Sequence, residues 1–176
     1  AQEAARNPRP QPAPGAAPEQ PRVLVVEDEP EIAAVLSEVL RSKYRVEVAR
    51  DGAEGLAKAR ASRPDLVVMD VFLPKLDGLD AAMALKSSSD TAHIPVILLS
   101  AHQGVADKVR ALNLGAVDYM AKPFNAVELL NRTERALKLR QGDKDQQDKT
   151  NSLQRRTGSD PVTGLLDRRG LLLRLE

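Results

Sequence analysis

Short apolar runs alternate with longer amphipathic segments through the middle of the chain, and this alternation predicts a repeated strand–helix unit. Residues 23–26, 66–69 and 95–99 are almost continuously apolar, as expected of strands covered on both faces. Residues 44–48 alternate between polar and apolar side chains, which is typical of a half-buried edge strand. Residues 117–121 form the fifth predicted strand.

The segments between these strands carry helix signals. Pro30 stands at a first helical position, and Glu54 follows the predicted cap Asp51 by three residues. Asn125 is predicted to cap the fifth helix, and Gly115 is placed to end the fourth. The first helix is predicted to present one apolar stripe, which consists of Ile32, Val35, Leu36, Val39 and Leu40. Five such units predict an α/β fold: a doubly wound, five-stranded parallel sheet of flavodoxin-like type with a C-terminal helical extension.

The flanking segments differ in composition from this α/β domain, which we place at residues 22–140. Residues 1–21 are rich in Pro and Ala and predict a disordered linker. Residues 141–159 are mostly polar and predict a helical linker or stalk, although Gly142 weakens a continuous helix. Residues 160–176 are predicted to begin a further domain, so we expect the chain to be a fragment of a longer protein.

Composition excludes several classes of function. The 26 basic and 25 acidic residues nearly balance, so we expect no nucleic-acid partner. The absence of Cys excludes a disulfide scaffold and thiolate metal sites, and favours a cytoplasmic protein. No apolar run approaches the roughly 18 residues that a membrane helix needs, so we expect no membrane partner.

Candidate chemistry lies where the predicted strands end. Glu27 and Asp28 follow the first strand, Asp70 ends the third, Ser100 ends the fourth, and Lys122 follows the fifth. Because the carboxyl ends of parallel strands share one edge of the sheet, these side chains should converge. Carboxylate oxygens without His or Cys suit Mg²⁺. A carboxylate beside a metal ion and a Lys can accept a phosphoryl group.

These residues lie in motifs that resemble the receiver domain of two-component response regulators. The matching stretches are Val-Glu-Asp-Glu at 26–29, Asp-Leu-Val-Val-Met-Asp at 65–70, Leu-Pro-Lys-Leu-Asp-Gly at 73–78, Pro-Val-Ile-Leu-Leu-Ser-Ala at 95–101 and Gly-Ala-Val-Asp-Tyr-Met-Ala-Lys-Pro-Phe at 115–124. The resemblance covers all five predicted strands and implies the fold described above.

The resemblance also implies residue roles. Asp70 would be the phosphoacceptor, and Ser100 and Lys122 would bind the phosphoryl group. The Mg²⁺ ligands would be Glu27, Asp28, Asp70 and the main-chain carbonyl of Phe72. The peptide between Lys122 and Pro123 would be cis. The donor would be the phosphohistidine of a sensor histidine kinase or a small acyl phosphate, and the domain would be no enzyme beyond its own phosphorylation and dephosphorylation.

The resemblance implies a route for the signal. Tyr119 would swing inward after phosphorylation and alter the face formed by the fourth helix, the fifth strand and the fifth helix. Receivers that form homodimers pair through this face, and Lys108, Asp118 and Arg132 lie on it. Asp118 and Arg132 could then pair across the dimer, although a solvated charged face remains an equal alternative.

The last residues carry a second resemblance. Asp-Pro-Val-Thr-Gly-Leu at 160–165, followed by Asp-Arg-Arg at 167–169, is similar to the opening motif of diguanylate cyclase (GGDEF) domains, from which it departs at Val162 and Asp167. The nucleotide-binding signature of that family is not in this sequence. The resemblance implies a covalently linked output domain beyond residue 176 that makes cyclic di-GMP.

Three other interpretations are considered at this point. A receiver-like domain that is never phosphorylated could serve only as a dimerisation module. A phosphatase of the haloacid dehalogenase type also uses an Asp nucleophile with Mg²⁺, but it would place an Asp-x-Asp pair after the first strand. A DNA-binding regulator would require an output domain that the sequence does not contain.

Overall fold

The computed structural model describes residues 20–101 and 104–157, with helices and strands in strict alternation. The elements are β1 (Arg22–Val26), α1 (Pro30–Arg41), β2 (Arg45–Ala49), α2 (Gly52–Ser62), β3 (Leu66–Asp70), α3 (Gly78–Ser87), β4 (Val96–Ser100), α4 (Val105–Asn113), β5 (Asp118–Ala121) and α5 (Ala126–Thr157). Most of the predicted N-terminal linker, residues 1–19, lies outside the described residues. The predicted start of an output domain also lies outside them.

The five strands form one parallel sheet in the order β2-β1-β3-β4-β5. This is the predicted flavodoxin-like arrangement, whose strand order the sequence alone left open. The chain leaves β1 first toward β2 and then toward β3, so the order reverses between β1 and β3. The reversal leaves a crevice at the carboxyl ends of these two strands.

Both faces of the sheet are covered, which explains why the strands are apolar throughout. Leu24, Val67 and Leu98 belong to the core on one face. Val25 and Val68 belong to the core on the opposite face, where α1 and α5 pack. The central strand β3 is buried along its whole length and is therefore a rigid support for the residue at its end.

The predicted apolar stripe of α1 is wrong at one position. Leu36 and Leu40 are buried, and Ile32 and Val39 pack partly against the core. Val35, in contrast, is 53% exposed. Ser37 is buried on this helix although it is polar. The buried face is therefore rotated slightly from the one that hydrophobicity predicted.

Side-chain caps fix the helix starts close to their predicted positions. Asp51 accepts a hydrogen bond from the amide of Glu54 at 2.7 Å. The Glu54 carboxylate accepts in return from the amide of Arg50 at 2.8 Å, one residue before the cap. The Asn125 side chain accepts from the amide of Glu128 at 2.7 Å at the start of α5.

The last helix continues beyond the body of the domain. It comprises 32 residues, Ala126–Thr157, and passes through Gly142. A rise of 1.5 Å per residue gives it a length of roughly 48 Å. None of the helices in the described part of the chain is long and apolar enough to cross a membrane.

Candidate functional site

Three acidic side chains meet at the crevice between β1 and β3. Oxygens of Glu27, Asp28 and Asp70 all lie within 4.8 Å of one another. Glu27 and Asp70 are buried, whereas Asp28 is exposed. The ends of the two strands therefore bring the three carboxylates together, as the strand-end pattern predicted, and the structure shows that two of them are buried and the third faces solvent.

Lys122 lies between the two buried carboxylates. Its Nζ donates to Asp70 Oδ2 at 2.7 Å and to Glu27 Oε2 at 2.8 Å. The residue follows β5 directly, and its peptide bond with Pro123 is cis, as the family resemblance implied. One ammonium group thus binds two carboxylates that lie at the ends of different strands.

Burial and charge shift the pKa values of this group. Burial raises the pKa of Glu27, and the nearby charge of Asp70 adds to that rise, while the hydrogen bond from Lys122 opposes it. Burial alone would lower the pKa of Lys122, but the hydrogen bonds to Asp70 and Glu27 outweigh it and raise that pKa. Lys122 is therefore a fixed positive charge at neutral pH.

Ser100 ends β4 beside the site and is buried. Asp70 is paired in register with Leu99, so Ser100 lies one residue further along the neighbouring strand. Its carbonyl accepts from the amide of Lys122 at 2.7 Å. The fold thus brings Glu27, Asp70, Ser100 and Lys122 to one edge of the sheet, although their roles in binding a phosphoryl group remain predictions.

The loop after Asp70 is held closely against the strand. The amide of Phe72 donates to Asp70 Oδ1 at 3.2 Å, and the amide of Gly78 donates to the Val71 carbonyl at 2.8 Å. A Cβ atom at Gly78 would lie 1.9 Å from the carbonyl oxygen of Asp70, so this position requires glycine. The Phe72 side chain is about half exposed, and the metal-binding role of its carbonyl remains a prediction.

A second contact holds the same loop and was not predicted from the sequence. Lys75 Nζ donates to Asp51 Oδ2 at 2.6 Å, so the residue that caps α2 also binds the loop. The hydrogen bond to Lys75 lowers the pKa of Asp51. Lys75 has a φ of 65°, a left-handed conformation that is uncommon for a residue other than glycine. The sequence patterns did not indicate that Lys75 has a positive φ.

The acidic cluster fits the metal ion that the sequence predicted. Three carboxylates supply hard oxygen ligands, and the exposed position of Asp28 leaves the cluster open to solvent. Mg²⁺ prefers such ligands and retains several waters when it binds to proteins. A single ammonium group does not neutralise three carboxylates, so a divalent cation would relieve their mutual repulsion.

Two features of the structure bear on the predicted signalling face, whose response to phosphorylation and pairing across a dimer remain predictions. Tyr119 is already buried, in the same apolar cluster as Leu98, so its ring does not need to swing inward from this conformation. Arg132 donates to Asp118 at 2.7 Å and to Glu128 at 2.8 Å within one chain. The predicted partner of Asp118 across a dimer is therefore already engaged in its own protomer.

Comparison with known sequences identifies the family to which this site belongs. Residues 23–134 match the family described as "Response regulator receiver domain". "Transcriptional regulatory protein PrrA" from Mycobacterium leprae is 43% identical over 121 residues, which cover 68% of this chain and 51% of PrrA. "Alkaline phosphatase synthesis transcriptional regulatory protein PhoP" from Bacillus subtilis is 43% identical over 118 residues, covering 66% of this chain and 48% of PhoP. The chain thus spans about half the length of these curated relatives.

Solved structures show the same fold. A CheY-like receiver domain protein from Methanospirillum hungatei superposes with a TM-score of 0.67 at 26% identity, covering 71% of this chain and 99% of that one. The receiver domain of a signal transduction histidine kinase from Syntrophus aciditrophicus gives a TM-score of 0.62 at 37% identity, covering 67% and 90% respectively. The phosphatase alternative is not favoured by any of these similarities.

Proposed function

This chain belongs to the response regulator receiver domain family, and from that premise we propose that Asp70 accepts a phosphoryl group from a sensor histidine kinase. The observation that carries the proposal is the position of Lys122, whose Nζ lies 2.7 Å from Asp70 and 2.8 Å from Glu27. This arrangement places a fixed positive charge beside a carboxylate on a rigid strand, at an edge of the sheet that is open to solvent through Asp28.

The proposed step is a displacement at phosphorus. A carboxylate oxygen of Asp70 attacks the phosphorus atom, and the bond to the imidazole nitrogen of a phosphohistidine, or to the oxygen of an acyl phosphate, breaks with its electron pair leaving on the donor. In this proposal Lys122 offsets negative charge on the transferred group, and the Ser100 hydroxyl donates to one of its oxygens. The domain thereby acts on itself and on no other substrate.

Mg²⁺ would support this chemistry. We propose that Glu27, Asp28, Asp70 and the Phe72 carbonyl hold the ion. When bound, it would neutralise charge on the phosphoryl oxygens. The residues of the chain itself then keep separate tasks: Asp70 is the nucleophile, and Glu27 and Asp28 bind the metal.

Intact mass spectrometry tests the transfer. The chain is incubated with Mg²⁺ and acetyl phosphate, and its mass is expected to increase by one phosphoryl group. Asp70→Asn should abolish the increase, because an amide is not a nucleophile of this kind, while Asp80→Asn on the exposed side of α3 serves as the matched control. Equal labelling of Asp70→Asn would contradict the assignment, and absence of labelling in the unaltered chain would favour a dimerisation module that is never phosphorylated.

We propose that the signal leaves through the face formed by α4, β5 and α5, where a second copy of the chain would dock. Lys122 follows β5 and Ser100 ends β4, so a change at the site acts on these strands first. On this face Val109, Leu112 and Val127 are exposed apolar side chains, next to the charged residue Lys108. Contacts between apolar side chains, with charges at the rim, would support such an interface.

Sedimentation measured with and without acetyl phosphate tests this interface. Phosphorylation is expected to promote a dimer that Leu112→Asp prevents. Met83→Asp, a matched change of an exposed apolar residue on α3, should leave the dimer intact. A chain that stays monomeric under both conditions would contradict the proposed interface without affecting phosphorylation.

The output domain has two candidates. We propose a diguanylate cyclase beyond residue 176, because residues 160–169 resemble the opening of that domain and follow a helical linker. The second candidate is a DNA-binding domain, because the relatives described above are named as transcriptional regulators. An assay of the full-length parent protein for cyclic di-GMP formation and for DNA binding distinguishes the two.

A further inference from the structure

A buried arginine joins the last helix to the sheet at the edge opposite the candidate site. The guanidinium Nη1 of Arg140 donates to Asp65 Oδ1 at 2.7 Å and to the Pro64 carbonyl at 3.1 Å. The other carboxylate oxygen of Asp65 accepts from the amide of Arg22 at 2.8 Å, and the amide of Asp65 donates to the Arg22 carbonyl at 2.7 Å. Through Asp65, α5 is therefore attached to the starts of both β1 and β3.

The burial of this contact makes it geometrically demanding. Arg140 is only 9% exposed. Arginine is almost never buried without a charged partner, and here Asp65 is that partner. A buried guanidinium requires well-placed acceptors, since its desolvation is costly. Both acceptors, the Pro64 carbonyl and the Asp65 carboxylate, bind Nη1, while Nε is buried and donates a hydrogen bond to none of the described residues. The two bonds to Nη1 therefore restrict the position and rotation of α5 at residue 140.

The helix changes character directly after this contact. Gln141, Gly142 and Asp143 are all exposed. Apart from its chain neighbours and the backbone of its own helix, a Cβ atom at Gly142 would have no atom within 4 Å, so packing does not require glycine there. Glycine is nevertheless among the weakest helix formers, which makes position 142 the locally weakest turn of a helix that continues to Thr157.

We propose that Arg140 is a positioning residue that anchors the output helix to the receiver body, and that Gly142 is the joint at which the helix beyond it can bend. This inference rests on the proposed relay of a signal to an output domain. The receiver would then move α5 as one body with β1 and β3 up to residue 140. The direction in which the stalk departs would be set by the Arg140–Asp65 contact.

Hydrogen exchange measured by mass spectrometry on the whole chain tests the anchor. Arg140→Met is expected to accelerate exchange at residues 138–143 by at least about tenfold, because it removes a buried ion pair. Arg135→Met makes the same chemical change at an exposed position of the same helix and should alter exchange there by less than about twofold. Arg140→Lys keeps a cation that can reach the acceptors and should restore part of the protection.

The joint is tested by Gly142→Ala, which adds a methyl group where there is space for it. Exchange at residues 143–157 should slow by about fivefold, as expected from the difference in helix propensity. Amides of β3 report whether each variant is folded. Equal effects of Arg140→Met and Arg135→Met would overturn the anchor, and unchanged exchange in Gly142→Ala would overturn the joint.

Phosphorylation is followed in the same variants so that the two proposals can fail separately. Labelling of Asp70 by acetyl phosphate should be unchanged in Arg140→Met, because Asp65 lies at the other end of β3. Absence of labelling in the unaltered chain would contradict the proposed function without affecting the conclusion drawn from hydrogen exchange. If labelling is lost only in Arg140→Met, then Arg140 also affects the phosphorylation site. That result would overturn its assignment as an anchor of the output helix alone.

Discussion

The two ends of strand β3 carry the same kind of contact with different consequences. At the carboxyl end, the Lys122 ammonium binds Asp70 and Glu27, and Asp28 lies close by. At the amino end, the Arg140 guanidinium binds Asp65. Both are largely buried contacts between an acid and a cation, and they are roughly 16 Å apart along the strand.

The difference lies in the balance of charge. The carboxyl end has three carboxylates around one ammonium group, an excess of negative charge that a divalent cation would reduce. At the amino end one oxygen of the Asp65 carboxylate binds the Arg140 guanidinium, and its second oxygen accepts from a backbone amide. A cluster with excess negative charge is suited to bind a metal ion and exchange partners, whereas a pair of opposite charges that also binds backbone groups is suited to hold structure.

The largest expected effect is that of Gly78→Ala at the carboxyl end. The added Cβ would lie 1.9 Å from the Asp70 carbonyl oxygen, so the backbone must move. We expect the free energy of unfolding to fall by more than about 4 kcal/mol. Urea denaturation measures this loss, with Gly142→Ala as the control, which should retain or raise stability. A Gly78→Ala variant as stable as the parent would show that the loop is not held against the strand.

Removing each cation separately sharpens the comparison between the two ends. Lys122→Met should lower the free energy of unfolding by about 3 kcal/mol, because two buried carboxylates lose their partner. It should also slow the labelling of Asp70 at least about tenfold, since the charge beside the phosphoryl group is lost. Arg140→Met should destabilise the fold by a similar amount and leave labelling unchanged. Urea denaturation and intact mass spectrometry provide the two readouts.

The effect of added Mg²⁺ on stability should distinguish the two ends of β3 further. The ion should restore part of the stability lost in Lys122→Met, since it can replace the missing positive charge among the carboxylates. It should give Arg140→Met no more stabilisation than it gives the unaltered chain. If Mg²⁺ stabilises both variants equally, the carboxylates at the carboxyl end do not form a metal site.

The smallest expected effect is a dependence of stability on pH at the carboxyl end. The pKa of Glu27 is raised in the folded protein, so the folded state binds this proton more tightly than the unfolded state. The contribution of Glu27 to the free energy of unfolding is fully present below its unfolded pKa near 4.5. It is lost as the pH rises through the higher pKa of the folded state. Urea midpoints measured across this window should decline less with rising pH in Glu27→Gln than in the unaltered chain. Identical pH profiles would contradict the shift.

Much of the fold could be predicted because local signals agreed with one another. The continuous apolar runs gave buried strands, and side chains such as Asp51 and Asn125 marked helix starts. The convergence of Asp70 and Lys122 followed from the parallel order of the strands, since all carboxyl ends share an edge. Val35 was assigned to the buried face wrongly, because hydrophobicity alone does not determine how far a helix is rotated.

The contacts that sequence reasoning missed join residues that no local pattern connects. Asp65 and Arg140 are separated by 75 positions, and neither lies at a strand end where chemistry was expected. Lys75 binds Asp51 from a backbone conformation with positive φ, which its residue type does not indicate. Arg132 and Asp118 were correctly placed on one face, but only the structure showed that they pair within one chain.

The most direct test of the central claim is to locate the phosphoryl group among the acids of β1 and β3. The chain is labelled with acetyl phosphate and Mg²⁺, treated with borohydride, which reduces an acyl phosphate to an alcohol, and digested for peptide sequencing by mass spectrometry. The account predicts a modified residue at Asp70 and none at Asp28 or Asp65. Modification at Asp65, or equal modification of Asp28 and Asp70, would contradict the distinction between a reactive and an anchoring end of the strand.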